Sequence, residues 1–272
     1  MSALRLAVRL GVITATATAL ILPAAAVATA STATPAHKGI LPPKHPSRSL
    51  KPKPFFLANP LCAHGNDGQR CNTQILKATT RARNLLEKMG GMSFAVAVYD
   101  KLTPIEQLFV TVNLERTARG KAPAVVLTRS LDKVAQEGAN SDADPPLKNV
   151  PNPLPGGGRW IGLGGNWAGG WDNALGSNYA WMYDDGLGSD NGDCTKTNKQ
   201  GCWGHRDNIL GTFSTKGRCG GQQSELAMGA GHVTKGKAFG DSETELMAGV
   251  CGPTPTDVVF TWAKAKKLLH IK

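Results

Sequence analysis

Six cysteines, at 62, 71, 194, 202, 219 and 251, constrain this 272-residue chain more than any other feature. An even set of cysteines in an exported chain reads as a disulfide framework. Fifteen pairings are open on paper. Cys62 and Cys71 enclose a short polar loop, and Cys194 and Cys202 enclose another, which leaves Cys219 for Cys251. Metal ligation is a weak alternative, because no CxxC or HxxxH spacing occurs.

Export is read from the first thirty residues. Arg5 and Arg9 form a positive start, Leu10 to Leu22 is apolar, and Ala28-Thr29-Ala30 is a small-residue cleavage site. The apolar run is too short for a membrane span. Residues 1–30 are therefore expected to be a signal peptide and the mature protein to be secreted and extracellular, beginning near Ser31. Residues 31–56 are rich in Pro and Lys, and residues 1–53 hold seven Lys or Arg and no acid. That segment reads as an extended, solvated linker. A basic linker can rest on an anionic cell envelope, although a plain spacer is the simpler reading. The formal charge of +11 belongs mostly to these residues, since 54–272 carry 24 basic and 20 acidic side chains. Charge thus gives no support for a nucleic-acid partner.

Beyond the linker, residues 57–102 hold the first disulfide loop and a helix over Gln74 to Met89. Phe94 to Tyr99 is either a strand or a buried connector. Thr103-Pro104-Ile105-Glu106 carries a capping box with Pro at the first helical position. Gly120 is placed to stop that helix. A second helix begins at Ser130 and runs to Asn140. Residues 141–170 read as a long Pro- and Gly-rich loop, and a third helix spans roughly Asp172 to Asp184. Leu226 to Val233 and Glu243 to Cys251 read as strands, and Trp262 to Leu269 as a basic helix in a C-terminal tail over 253–272. Helices first and paired strands later predict an α+β domain. Asp184 to Asp193 holds four carboxylates among glycines, a composition suited to calcium, but the spacing misses the EF-hand loop and an ordinary solvated turn explains it as well.

The most informative stretch is Gly201-Cys202-Trp203-Gly204-His205-Arg206-Asp207-Asn208-Ile209-Leu210, which delivers a His-Arg pair to a helix start. With Asn113-x-x-Arg116-x-x-x-Gly120-x-x-Pro123, Leu131-x-x-x-Ala135, Gly164-Gly165-Asn166-Trp167-Ala168 and Trp181, it resembles the CAP superfamily (cysteine-rich secretory, antigen 5 and pathogenesis-related 1 proteins). It is most similar to the bacterial SCP-like extracellular type. The resemblance covers residues 103–252 and implies an α-β-α sandwich with a cleft lined by two His and two acidic residues that can bind a metal. Carried over, His205 matches the second His and Asp184 an acidic position. Gly165 stands where the family has Glu, and Ser141-Asp142-Ala143-Asp144-Pro145-Pro146 offers no first His. The metal site is therefore expected to be degenerate, with no metal and no cofactor.

Ligand binding is expected at His205, Arg206, Asp184, Tyr183, Asn166, Trp167 and Trp203. His205 and Arg206 should be partly exposed, within reach of Asp184 or Tyr183. The partner expected in the cleft is a lipid, a sterol-like molecule or a glycan, bound without catalysis. Trp160, Trp167 and Trp171 offer aromatic faces for it, unless they serve as core. The alternative is a peptidase-like hydrolase with His205 as general base and Asp184 beside it, for which no Gly-x-Ser-x-Gly elbow marks a nucleophile.

Overall fold

The computed structural model describes residues 45–53, 56, 62, 68–213, 218–222 and 224–272. The expected signal peptide and its cleavage site lie outside these residues, as does most of the Cys62–Cys71 loop.

A five-stranded mixed sheet in the order β2-β4-β3-β1-β5 divides the molecule. Its strands are β1 (Ala124–Thr128), β2 (Arg159–Gly169), β3 (Ser224–Gly236), β4 (Gly240–Cys251) and β5 (Val258–Thr261). Only the β1–β3 pair is parallel. Among the described residues there are also seven α-helices: α1 (Gln69–Glu87), α2 (Val96–Tyr99), α3 (Pro104–Ala118), α4 (Arg129–Ser141), α5 (Ala174–Tyr183), α6 (Gly204–Leu210) and α7 (Trp262–Leu269). The fold is α+β, and helices cover both faces of the sheet.

The two faces differ chemically. On one, α4 packs its apolar stripe of Leu131, Val134, Ala135 and Ala139 against Ala227, Leu246, Ala248 and Val250. The approach is close because Gly229 and Gly231 present no side chain: a Cβ at Gly231 would lie 2.6 Å from the Ala135 carbonyl carbon. Ser242 and Thr244 of β4 donate to carbonyls of α4, Ala139 O at 2.8 Å and Ala135 O at 2.6 Å. The opposite face carries Leu226, Met228, Ala230 and Met247 under α3 and α5, whose buried side chains include Phe109, Val112, Leu175 and Tyr179.

The capping box at Thr103 forms as expected, with Thr103 N–H donating to Glu106 Oε2 at 2.9 Å. The tail helix spans Trp262–Leu269, and Gly120 takes a positive φ of 66° where the α3 region ends. Several expectations need correction. Residues 159–169, inside the supposed long loop, form the edge strand β2, whose many glycines disguise its alternation. Val96–Tyr99, in the segment read as strand or connector, is a short helix, and α1 begins five residues before Gln74. The short strands β1 and β5 went unread.

Residues 45–53, within the expected linker, dock on the fold, and residues 31–44 lie outside the described residues. Leu50 N–H donates to Tyr183 O at 2.8 Å, Tyr179 Oη–H to Leu50 O at 2.7 Å and Gly186 N–H to Ser49 Oγ at 2.7 Å. Disulfides join Cys62 to Cys71, Cys194 to Cys202 and Cys219 to Cys251, as expected. They point to an oxidising, extracellular-type environment. No described helix is long and apolar enough to cross a membrane.

Candidate functional site

The site begins where α5 stops. Asp184 and Asp185 leave the C-terminal end of that helix side by side, and Asp185 turns toward α6. Its carboxylate accepts the His205 backbone N–H at 3.1 Å and that of Arg206 at 3.3 Å, so it caps the start of α6. Asn191 Nδ2–H donates to the same carboxylate at 2.6 Å and to Gly201 O at 3.1 Å, which ties the acidic loop to the Cys194–Cys202 segment. Trp203 precedes α6 with φ 66° and donates its N–H to Asp185 O at 2.9 Å. Its indole covers Gly186, where any side chain would collide with the ring.

So held, His205 places Nδ1 2.6 Å from Asp185 Oδ1, with 19% of its side chain exposed to the cleft. Burial works against protonation of this imidazole. The Asp185 hydrogen bond and charge, with Asp144 and Asp193 adding, outweigh burial and raise its pKa above the ordinary histidine value.

The cleft has a volume of about 610 Å³. Trp167, Trp171, Trp181 and Phe239 give it an aromatic side; Phe239 is exposed and its ring centroid lies 5.5 Å from that of Trp167. Asp144, Asp184, Asp185, Asp190 and Asp193 line the cleft as well. Asp184 is 2% exposed, and neither carboxylate oxygen has a hydrogen-bond partner among the described residues. Burial, then the charges of Asp190 and Asp185, push its pKa up to about 7 against the opposing pull of Lys51. No Ser, Thr, Cys or Lys is among the described residues lining the cleft.

The expected ligand residues divide into two groups. His205, Asp184 and Trp167 line the cleft. Arg206, Tyr183, Asn166 and Trp203 do not. Arg206 is fully buried, not partly exposed. Its guanidinium pairs with Glu87 and donates to Met182 O at 2.8 Å. Tyr183 is sealed in the same region, where its hydroxyl donates to Glu115 Oε1 at 2.6 Å. Asn166 is a strut for α6: its Nδ2–H donates to His205 O at 2.9 Å and Glu245 Oε1 at 2.7 Å, and its Oδ1 accepts from Asn208 at 2.9 Å. Trp203 stacks near His45, with centroids 6.3 Å apart. His205 is bonded to Asp185, one residue past the expected Asp184. The doublet Asp184-Asp185 was the available signal, and nothing local distinguishes its members. Asp144 and Phe239 also line the cleft and were missed, since both arrive from distant loops.

No family model, curated protein or solved structure matches this chain. Whether a metal fits must be judged from the donors present. At Gly165, the position assigned to a Glu by resemblance, a Cβ would lie 3.0 Å from Pro145 Cδ, so the space is filled. Of the other described histidines, His45 is bonded to Asp207, His232 to Glu243, and His270 is exposed at the end of α7. The only described group of three potential ligand atoms within 4.8 Å is Cys62, Cys71 and Asp172, and both of its sulfurs are in a disulfide. The cleft residues do not form a donor set suited to zinc, which takes three or four close N, S or O ligands.

Proposed function

We propose that this chain is an exported CAP-like domain whose cleft binds a ligand without metal chemistry, and that among lipid, sterol-like and glycan ligands the cleft favours a glycan. One observation carries the reading: aromatic rings and carboxylates line one cleft, with no hydroxyl, thiol or amine nucleophile among the described residues that line it. Aromatic faces pack on the apolar faces of sugar rings, and carboxylates accept sugar hydroxyls. The buried, unpartnered Asp184 supplies an acceptor ready for such a hydroxyl. A sterol would leave the Asp184 carboxylate unsatisfied, at a cost of about 1–3 kcal/mol. The layering of helices on both faces of the sheet and the Gly204-His205-Arg206 start of α6 support the CAP-like assignment, and the disulfides support export.

Calorimetric titration with cell-wall oligosaccharides and with a soluble sterol tests the reading. Wild type should bind an oligosaccharide, and Asp184→Ala or Trp167→Ala should weaken it roughly tenfold, the equivalent of one lost contact of about 1.4 kcal/mol. Preference for the sterol, or binding insensitive to both substitutions, overturns it.

A second reading rests on the His205–Asp185 pair. An imidazole oriented by a carboxylate at 2.6 Å is equipped to take a proton from water, making the cleft that of a hydrolase. Release of reducing ends or peptide fragments by wild type but not by His205→Gln, unchanged by chelator, would establish it over simple binding.

A further inference from the structure

A second cavity borders the cleft, where residues 48–53 meet α1. It has a volume of about 400 Å³. Arg48, Lys51 and Lys53 line it from the crossing segment, Lys77 and Arg81 from α1, and no acidic residue takes part. Lys51 is engaged, its ammonium paired with Asp190. Arg48, Lys53, Lys77 and Arg81 are exposed, and none has a carboxylate within ion-pair distance among the described residues.

Four unpaired cations around one concavity repel one another, and ordinary surfaces intersperse both signs. The crossing segment is nevertheless held on that spot by the Tyr183 O and Tyr179 Oη hydrogen bonds to Leu50. Beneath it, Phe56 sets its ring edge-on to Tyr179 at 5.4 Å and to Trp171 at 6.3 Å, so the floor is built and apolar. We infer that this groove is a binding site for a multiply charged, phosphate-bearing anion. Two guanidiniums present planar forks that match tetrahedral oxyanions, while the lysines add point charges. A single carboxylate has too little charge to satisfy four cations. The separation of charge within the molecule agrees, since the carboxylates gather in the cleft and the cations here. The site is independent of the cleft reading and stands or falls separately from it.

The test uses the secreted full-length protein in about 0.15 M salt, where diffuse surface attraction is screened beyond roughly 8 Å. Tripolyphosphate is the free probe; vesicles of cardiolipin, whose headgroup bears two phosphates, against phosphatidylcholine carry the same chemistry as a lipid headgroup. Wild type should bind tripolyphosphate saturably, and Arg48→Gln with Arg81→Gln should weaken that binding tenfold or more, roughly one charge-assisted hydrogen bond's worth. A control pair, Lys266→Gln with Lys267→Gln on the exposed side of α7, removes the same net charge and should change it less than about twofold. Thermal melts verify that both variants fold. Vesicle binding with the same dependence on Arg48 and Arg81 assigns the anion to a lipid headgroup; tripolyphosphate binding alone assigns it to a free or polymeric phosphate. Absence of saturable binding to either probe, or equal weakening by both pairs, overturns the site.

Discussion

His205 and Arg206 are neighbours in sequence and work on opposite sides of α6. Successive helical residues point about 100° apart, so one faces the cleft while the other enters the interior. There Arg206, Arg119 and Arg83 meet Glu87 and Glu115, all nearly or fully buried. Burial would push the Glu115 carboxyl up, but the charges of Arg119 and Arg83 and the Tyr183 hydrogen bond prevail and hold it at about 2. Breaking one partner out of such a cluster leaves an uncompensated charge. Arg206→Met is therefore expected to cost about 3–5 kcal/mol, against roughly 1 kcal/mol for His205→Ala, whose Asp185 partner keeps Asn191 and two backbone N–H donors. Denaturant unfolding of both variants measures the difference; similar losses would show that Arg206 is not anchored in this cluster.

Among the elements, α4 lies close on β3. A Cβ at Gly229 would fall inside van der Waals contact with the backbone of Leu131, and backbone cannot rotate aside. Gly229→Ala should destabilise by about 1–3 kcal/mol or more through overpacking. Gly192→Ala, at a position with open space and no positive φ, should lie within about 0.5 kcal/mol of wild type. A neutral Gly229→Ala in the same melts would mean the layers can slide apart at little cost. The contrast shows why β2 and the close approach escaped the sequence: glycine is the common residue of loops, yet at 162, 164, 165, 229 and 231 it lies within strands.

For the molecule as a whole, several titrations act in one direction. Burial raises Asp132 to about 7, Asp184 to about 7 and Glu245 to about 8, and His205 is also raised. An acid whose folded pKa is raised favours its protonated form in the fold, so its favourable contribution is present at low pH and is lost as pH climbs from about 4 to the folded value. A raised histidine acts alike: its contribution is full below about 6.5 and lost above. Glu115, held low, contributes above about 4.3 and loses that contribution as pH falls toward 2. Stability should therefore peak near pH 5 and fall by several degrees in Tm toward pH 8.5. Melts across this range check it, and a maximum at pH 8 or above would contradict the shared burial of these groups.

The α+β class, the three disulfide pairs, the Thr103 cap and the tail helix were legible in the sequence, because spacing, capping chemistry and short loops are local properties of the chain. The cleft was legible at His205, Asp184, Trp167 and Trp171. Its remaining residues were not, because a side chain's partner depends on which way its element is turned. Asp185 rather than Asp184 meets His205 because α5 ends at Tyr183 and the two carboxylates diverge from that point. Asp144 and Phe239 reach the cleft only because α4 and the β3–β4 turn end beside the edge strand. The docking of 45–53 is likewise decided by Tyr179 and Tyr183, more than a hundred residues away. Composition states that such a segment has little to bury; the surface on which it comes to rest is a property of the folded molecule.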